Sequence, residues 1–183
     1  MKAAGFALFA VFSLAGCATD GERSSGGGGG AAVDLTRTHL GQQLARAQIA
    51  VEPVNAADAN SPDFQALSDA VERQLVRHGY TIAENRAASE QIARIDVRQG
   101  SRAALTTGWP GLARGGREAN LIATLLDVRI QRRSDGTVFW QGKAVTEARA
   151  GTPGAQRSAA VERLATALFR DFPGESGRTI RVR

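Results

Sequence analysis

The sequence predicts an α+β fold, a two-layer sandwich in which a mostly antiparallel sheet of about five to six strands carries two helices on one face. Segments 93–98, 120–132 and 137–149 alternate apolar and polar residues, as strands with one buried face do. Segments 61–79 and 155–171 instead place apolar residues at the spacing of one helical face. Polar residues on the second face of the late strands indicate an antiparallel sheet with one side in water.

Two short strands open the predicted domain, at 33–40 and 48–54, and Pro53 near the end of the second is typical of a sheet edge. A helix follows, with Ser61 suited to cap its N-terminus and Gly79 to end it. Its predicted buried stripe consists of Phe64, Leu67, Val71 and Leu75.

A short strand at 80–83 and a strand at 93–98 precede the strands at 120–132 and 137–149, which Ser134-Asp135-Gly136 joins with the composition of a hairpin turn. The face predicted to be buried consists of Ile122, Thr124, Leu126, Val128, Ile130, Val138, Trp140, Ala144 and Thr146. Gln141, Lys143 and Glu147 are expected to point to water. The second helix buries Ala160, Val161, Leu164 and Leu168. The basic tail at 178–183 is a candidate for an additional edge strand.

Residues 1–16 are predicted to be a signal peptide. Ala3 to Leu14 is a run without charge that is too short to span a bilayer, which takes about 20 residues. It ends in Leu14-Ala15-Gly16-Cys17, which resembles the bacterial lipobox. That resemblance implies a diacylglycerol on the Cys17 thiol and an acylated new N-terminus, and so a stable membrane anchor. The alternative is an ordinary signal peptide with an incidental cysteine.

Residues 17–32 are predicted to be a Gly/Ser tether with a span of about 20 Å, and 33–183 to be a single domain. Ala18, rather than aspartate, follows the cysteine, which favours the outer membrane, facing the periplasm, over the inner membrane.

The composition excludes several function classes. One cysteine and two histidines exclude a disulfide scaffold, an iron–sulfur site and a Cys/His zinc site, and no cofactor is expected. The net charge is +5, but the bases are interleaved with 18 acids and no aromatic stacking platform accompanies them. We therefore expect no nucleic-acid binding, and attraction to anionic envelope components such as lipid headgroups instead.

No catalytic motif is found: P-loop, nucleophile-elbow and H-E-x-x-H patterns are absent from the sequence. His39 has no assignable partner, and His78 in the last turn of a helix suits the helix dipole. Asp127, Asp135 and Glu147 are interpreted as solvated partners of Arg129, Arg132 and Lys143 rather than as an acid/base pair. No catalytic residue and no metal ligand is predicted.

The segment 101–118 is a long connection that carries Trp109, with Arg102, Arg114 and Arg117 near it. Because tryptophan and arginine often anchor interfaces, Trp109, Arg114 and Arg117 are predicted to contact a partner or the membrane. Two alternatives stay open: Trp109 folds back to cover the sheet, or the loop is only a connection.

Three segments resemble the bacterial lipoproteins that carry domain of unknown function 4136. They are the helix end from Ala70 to Leu75 with His78-Gly79-Tyr80, the hairpin from Arg133 to Gly142, and the closing helix from Ala160 to Leu164 that runs into Asp171-Phe172-Pro173. The first strand departs from that family's pattern. The resemblance implies a lipoprotein of unknown role and carries over no catalytic residue.

Two function classes follow. The first is a non-enzymatic envelope lipoprotein that binds a protein partner or an envelope polymer through its sheet edge or its 101–118 loop. The alternative is an envelope enzyme with an unrecognised site.

Overall fold

A computed structural model describes residues 31–41, 44–113 and 120–183. The strands are β1 (Val33–His39), β2 (Gln48–Pro53), β3 (Thr81–Ile82), β4 (Gln91–Gly100), β5 (Leu121–Arg132), β6 (Val138–Arg149) and β7 (Thr179–Val182). The helices are α1 (Pro62–Arg77), α2 (Arg102–Leu105) and α3 (Arg157–Phe169), together with single 3₁₀ turns at Ala56–Asp58, Arg86–Ala88 and Pro153–Ala155.

The α+β class is confirmed, but the sheet is larger and less uniform than predicted. Seven strands lie in the order β3-β2-β4-β5-β6-β1-β7 across the part of the chain that the structure describes. Antiparallel pairing joins the neighbours β4, β5, β6, β1 and β7 in that order across the sheet, whereas β2 is parallel to both β3 and β4. This parallel pairing follows from the crossover through α1. The helix returns the chain to the end of the sheet at which β2 begins, so the next strands run in the same direction as β2.

The added edge strand that the sequence left open is present, because the basic tail forms β7, which pairs with β1 and makes one edge. The prediction that Pro53 marks the other edge is wrong. Pro53 lies on the second strand from the other edge, beyond the two residues that pair with β3, so its missing N–H costs no hydrogen bond to that strand. A third helix, α2, lies inside the segment that was predicted to be a loop.

The main core lies between α1, α3 and the inner face of the sheet, which is the face that these helices cover. Leu126, Val128, Ile130 and Trp140 are all fully buried there. Val138, predicted to be buried, is 38% exposed, since it lies at the turn end of the hairpin, next to a register irregularity after Ile130. The predicted stripes of both helices are buried: Phe64, Leu67, Val71, Leu75, Ala160, Val161, Leu164 and Leu168.

Local signals placed α1 correctly. The Ser61 hydroxyl accepts a hydrogen bond from the Phe64 N–H at 3.1 Å, and Pro62 occupies the first turn. Gly79 ends the helix with φ +88°, a conformation that glycine adopts without strain. Within the described ranges, no helix combines the length and the apolar composition needed to cross a bilayer.

Candidate functional site

The outer face of the sheet, opposite α1 and α3, carries most of the buried charges of the domain. Lys143 on β6 lies directly opposite Asp127 on β5 and binds its carboxylate. Their side chains are only 6% and 2% exposed. The same carboxylate accepts hydrogen bonds from Gln141 at 2.9 Å and from Arg129 at 3.1 Å. Asp127 is therefore surrounded by donors, as a buried charge requires.

The position of Lys143 and Asp127 corrects the prediction that these residues point to water. Strand alternation does place them on the outer face, but segment 102–113 covers that part of the sheet. Glu147 also pairs with Arg102, at 3.1 Å, rather than with a hairpin base. Asp135 has the solvated partner expected for it, Arg132, at 2.7 Å, and Asp127 has its expected partner Arg129, although the Asp127 carboxylate itself is buried.

Trp109 lies on top of this ion pair. The centroid of its ring is 4.7 Å from the Lys143 Nζ, within the range of a cation–π contact. The ring is partly buried and packs against a second apolar cluster, which consists of Leu105, Leu112, Ala123, Leu125 and Val145. Segment 102–113 therefore brings its own small core to the sheet.

Arg102 fixes segment 102–113 to the sheet. Its Nε donates to the Leu112 carbonyl at 2.9 Å, inside the segment, while its two terminal nitrogens reach Asp34 on β1 and Glu147 on β6. Asp34 also accepts two hydrogen bonds from Arg181 on β7, both at 2.8 Å, and these raise the pKa of Arg181. The ion network thus joins the segment to three strands.

A groove of about 510 Å³ lies between the turn of this segment and the edge strand β7. Its lining residues are Asp34, Pro110, Gly111, Thr179, Ile180 and Arg181. Gly111 packs directly on Thr179, where a Cβ on Gly111 would come within 2.3 Å of the threonine hydroxyl. The turn therefore depends on glycine for its contact with β7.

Both histidines and one group of aspartates lie elsewhere in the described part of the chain. His39 Nδ1 accepts from the Gly41 N–H at 3.1 Å, so its Nε2 donates to the Gly174 carbonyl at 3.0 Å. His78 contacts the ring of Phe172, with centroids 5.3 Å apart. Three aspartates, Asp58, Asp63 and Asp96, line a groove of about 340 Å³ near the start of α1. Across the described ranges, no three histidine, cysteine or acidic side chains lie close enough to hold a metal ion.

Of the predicted site residues, the structure describes only Trp109. Cys17, Arg114 and Arg117 lie outside the described residues. Sequence reasoning named Arg102 only as a base near Trp109 and missed Asp34; the two are buried and bound to each other. Two signals pointed towards them: Leu105 and Leu112 in the supposed loop need an apolar surface, and Asp34 falls on the polar face of a mainly buried strand.

No known family profile matches the chain, so the resemblance to the family of domain of unknown function 4136 is not confirmed. An uncharacterized protein from Zymomonas mobilis subsp. mobilis is 42% identical over 65 residues, which are 36% of this chain and 24% of that protein. The match thus spans about a quarter of the relative's length.

One of the similar solved structures shows a related fold. A PDZ domain protein from Parabacteroides distasonis ATCC 8503 superposes with a TM-score of 0.52 at 10% identity, over 82% of this chain and 39% of that chain. PelC from Paraburkholderia phytofirmans, a dodecamer, gives a TM-score of 0.45 at 13% identity, over 74% and 94% of the two chains. A candidate lipoprotein from Caulobacter crescentus CB15 gives 0.33 at 17% identity, over 67% and 82%. The first likeness shows the fold, and none of them assigns an activity.

Proposed function

We propose that this chain is a lipid-anchored binding module of the cell envelope, without catalytic activity of its own. Cys17 anchors it to the outer membrane, and the outer face of its sheet holds a protein or polymer partner. The observation that carries the binding role is the groove between Pro110-Gly111 and β7. It joins the two features that the sequence offered for partner contact, the sheet edge and the 101–118 loop.

The structure of this groove suits recognition. Trp109 and the buried arginine network hold segment 102–113 in one position, so its turn presents a fixed surface. β7 is the last strand of the sheet, and an edge strand leaves backbone donors and acceptors free to pair with an extended segment. A partner that lies in the groove can therefore combine backbone pairing with side-chain contacts.

The anchor is tested by metabolic labelling with palmitate. The wild type should incorporate label, and Cys17→Ser should not, because the thiol is the acceptor of the lipid. Equal labelling of the two proteins would show that Cys17 is not the modified residue.

The binding role is tested by photocrosslinking in native membranes. A photoreactive residue at Pro110, in the groove, should give a discrete adduct with an envelope protein or polymer. The same residue at Gln65, exposed on α1 on the opposite layer, is the matched control. Adducts of the same size from both positions, or from neither, would contradict the proposed surface.

A further inference from the structure

A second groove lies on the other side of β7, on the layer of the helices, and has a volume of about 320 Å³. Val33 and Val182 from the paired ends of β1 and β7 form one wall, and α3 forms the other. The residues from α3 and its C-terminal end are Ala159, Glu162, Arg163, Thr166, Ala167 and Arg170, and Arg183 and Ala31 complete the lining. Because successive strand residues face opposite sides, this groove and the groove at Pro110 are separated by the sheet.

The charges in this second groove favour an anion. Three arginines line it, Arg163, Arg170 and Arg183, against a single acid, Glu162. That acid is already paired with Arg73 on α1. Arg163 has its Nη2 beside the turn at Gly154, and its Nη1 is buried without an acceptor among the described residues. The excess of arginine over free acid in the lining favours an oxyanion such as phosphate, which guanidinium groups bind through paired N–H donors.

The position of the groove indicates which anion. Ala31, one of the lining residues, follows Cys17 by fourteen positions, so even a fully extended chain keeps it within about 50 Å of the anchor. If Cys17 carries lipid, as the proposed function holds, the groove is confined to a shell next to the membrane surface. Phospholipid headgroups are then the most concentrated anions within its reach.

We propose that this groove binds the phosphate headgroup of an anionic phospholipid in the membrane that holds the anchor. Its arginines meet the phosphate, and the apolar walls of Val33, Val182 and Ala167 face the glycerol and upper acyl region. The domain then docks with the α3–β7 side on the bilayer, while the groove at Pro110 stays open to a partner. This inference rests on the proposed anchor and adds a second, non-covalent membrane contact.

The test uses the mature-length chain, residues 17–183, with Cys17→Ser so that no acyl chain contributes. We expect it to sediment with vesicles of phosphatidylcholine and phosphatidylglycerol and to dissociate from them at high salt. It should not bind vesicles of phosphatidylcholine alone. Arg163→Gln with Arg170→Gln should weaken binding about 25-fold, at about fivefold per arginine. The control pair, Arg77→Gln with Arg98→Gln, changes net charge equally outside the groove and should retain most of the binding.

Thermal melts of both double variants check that each is folded. Equal loss of binding in the two would show that net charge alone acts, and binding to neutral vesicles or to none would also overturn the proposal. If the groove variants instead change self-association in solution, the occupant is a second copy of the chain and the proposal is wrong. Palmitate labelling is independent of these results, so failure of the anchor and failure of the groove are told apart.

Discussion

The ring of Trp109 lies over the ammonium group of Lys143, at 4.7 Å from Nζ to the ring centroid. Lys143 simultaneously binds the buried carboxylate of Asp127 on the neighbouring strand. One lysine therefore joins the sheet to the segment above it, by an ion pair on one side and a cation–π contact on the other. The position of the turn at Pro110 and Gly111 depends on this arrangement.

Asp127→Asn should destabilise the fold by about 3–5 kcal/mol, because it leaves the charge of Lys143 buried without its counter-ion. The free energy of unfolding, from urea titration, is the measurement. Glu162→Gln is the control, since it removes a carboxylate from the exposed pair with Arg73 and should cost about 0–1 kcal/mol. Equal losses in the two variants would mean that the buried pair has no special role.

Gly142→Ala and Gly100→Ala are the same change in two strands with opposite expected signs. A Cβ at Gly142 would meet the Trp140 ring at 2.4 Å and Leu168 at 2.8 Å, so overpacking should cost about 1–3 kcal/mol. A Cβ at Gly100 meets only Leu105, at 3.9 Å, and should stabilise by about 0.4–1 kcal/mol through the unfolded chain. Denaturant melts that rank the two variants in the reverse order would refute this packing.

Leu126→Ala tests the register of the central strand. Leu126 is fully buried between the helices and the sheet, so its truncation should cost about 2–5 kcal/mol. Val138→Ala, at a position that is 38% exposed, should stay within about 0.5 kcal/mol of the wild type. A loss of that small size for Leu126 in urea melts would place it outside the core.

The buried phenol of Tyr80 should make the fold less stable at alkaline pH. Burial raises the pKa of its phenol from 10.0 to about 12, so the folded state holds the proton more tightly than the unfolded state. The stability from this group is complete below pH 10 and decreases as the pH rises towards 12. Tyr80→Phe should remove that decrease, and it should cost little near neutral pH because the hydroxyl has no hydrogen-bond partner in the described structure.

Tyr80 is the only tyrosine, so the absorbance of tyrosinate reports this group alone. The folded chain should titrate near pH 12, and the unfolded chain near its ordinary value of 10.0. A midpoint near 10 in the folded chain would show that the phenol is solvated.

The buried residues on the inner face of the sheet could be predicted from the sequence, because the alternation of apolar and polar residues along each strand identifies them. Ile130, Val128 and Leu126 alternate with polar residues, and the stripes of α1 and α3 match them. The outer face could not, since strand alternation reports which side a residue faces and not what covers that side. Lys143 and Asp127 have the composition of a solvated face, and their burial depends on segment 102–113, which lies elsewhere in the chain.

The parallel pairing of β2 with β4 could likewise not be predicted from the sequence. It follows from the path of the chain over α1 and past β3, and no residue of β2 signals it locally. The groove at Pro110 shares this property, because Gly111 and Thr179 come into contact only after the sheet has brought β1 and β7 together.

The most direct test of the proposed binding surface compares Trp109→Ala with Leu112→Ala. Both residues pack in the same cluster, but Leu112 is fully buried, whereas Trp109 keeps part of its ring at the surface. Each variant is scored for its melting temperature and for the yield of the Pro110 photoadduct in native membranes. We predict that Trp109→Ala loses the adduct while Leu112→Ala, at equal or greater loss of stability, retains it. Retention of the adduct in Trp109→Ala, or its loss in both variants in proportion to their destabilisation, would contradict a binding role for this surface.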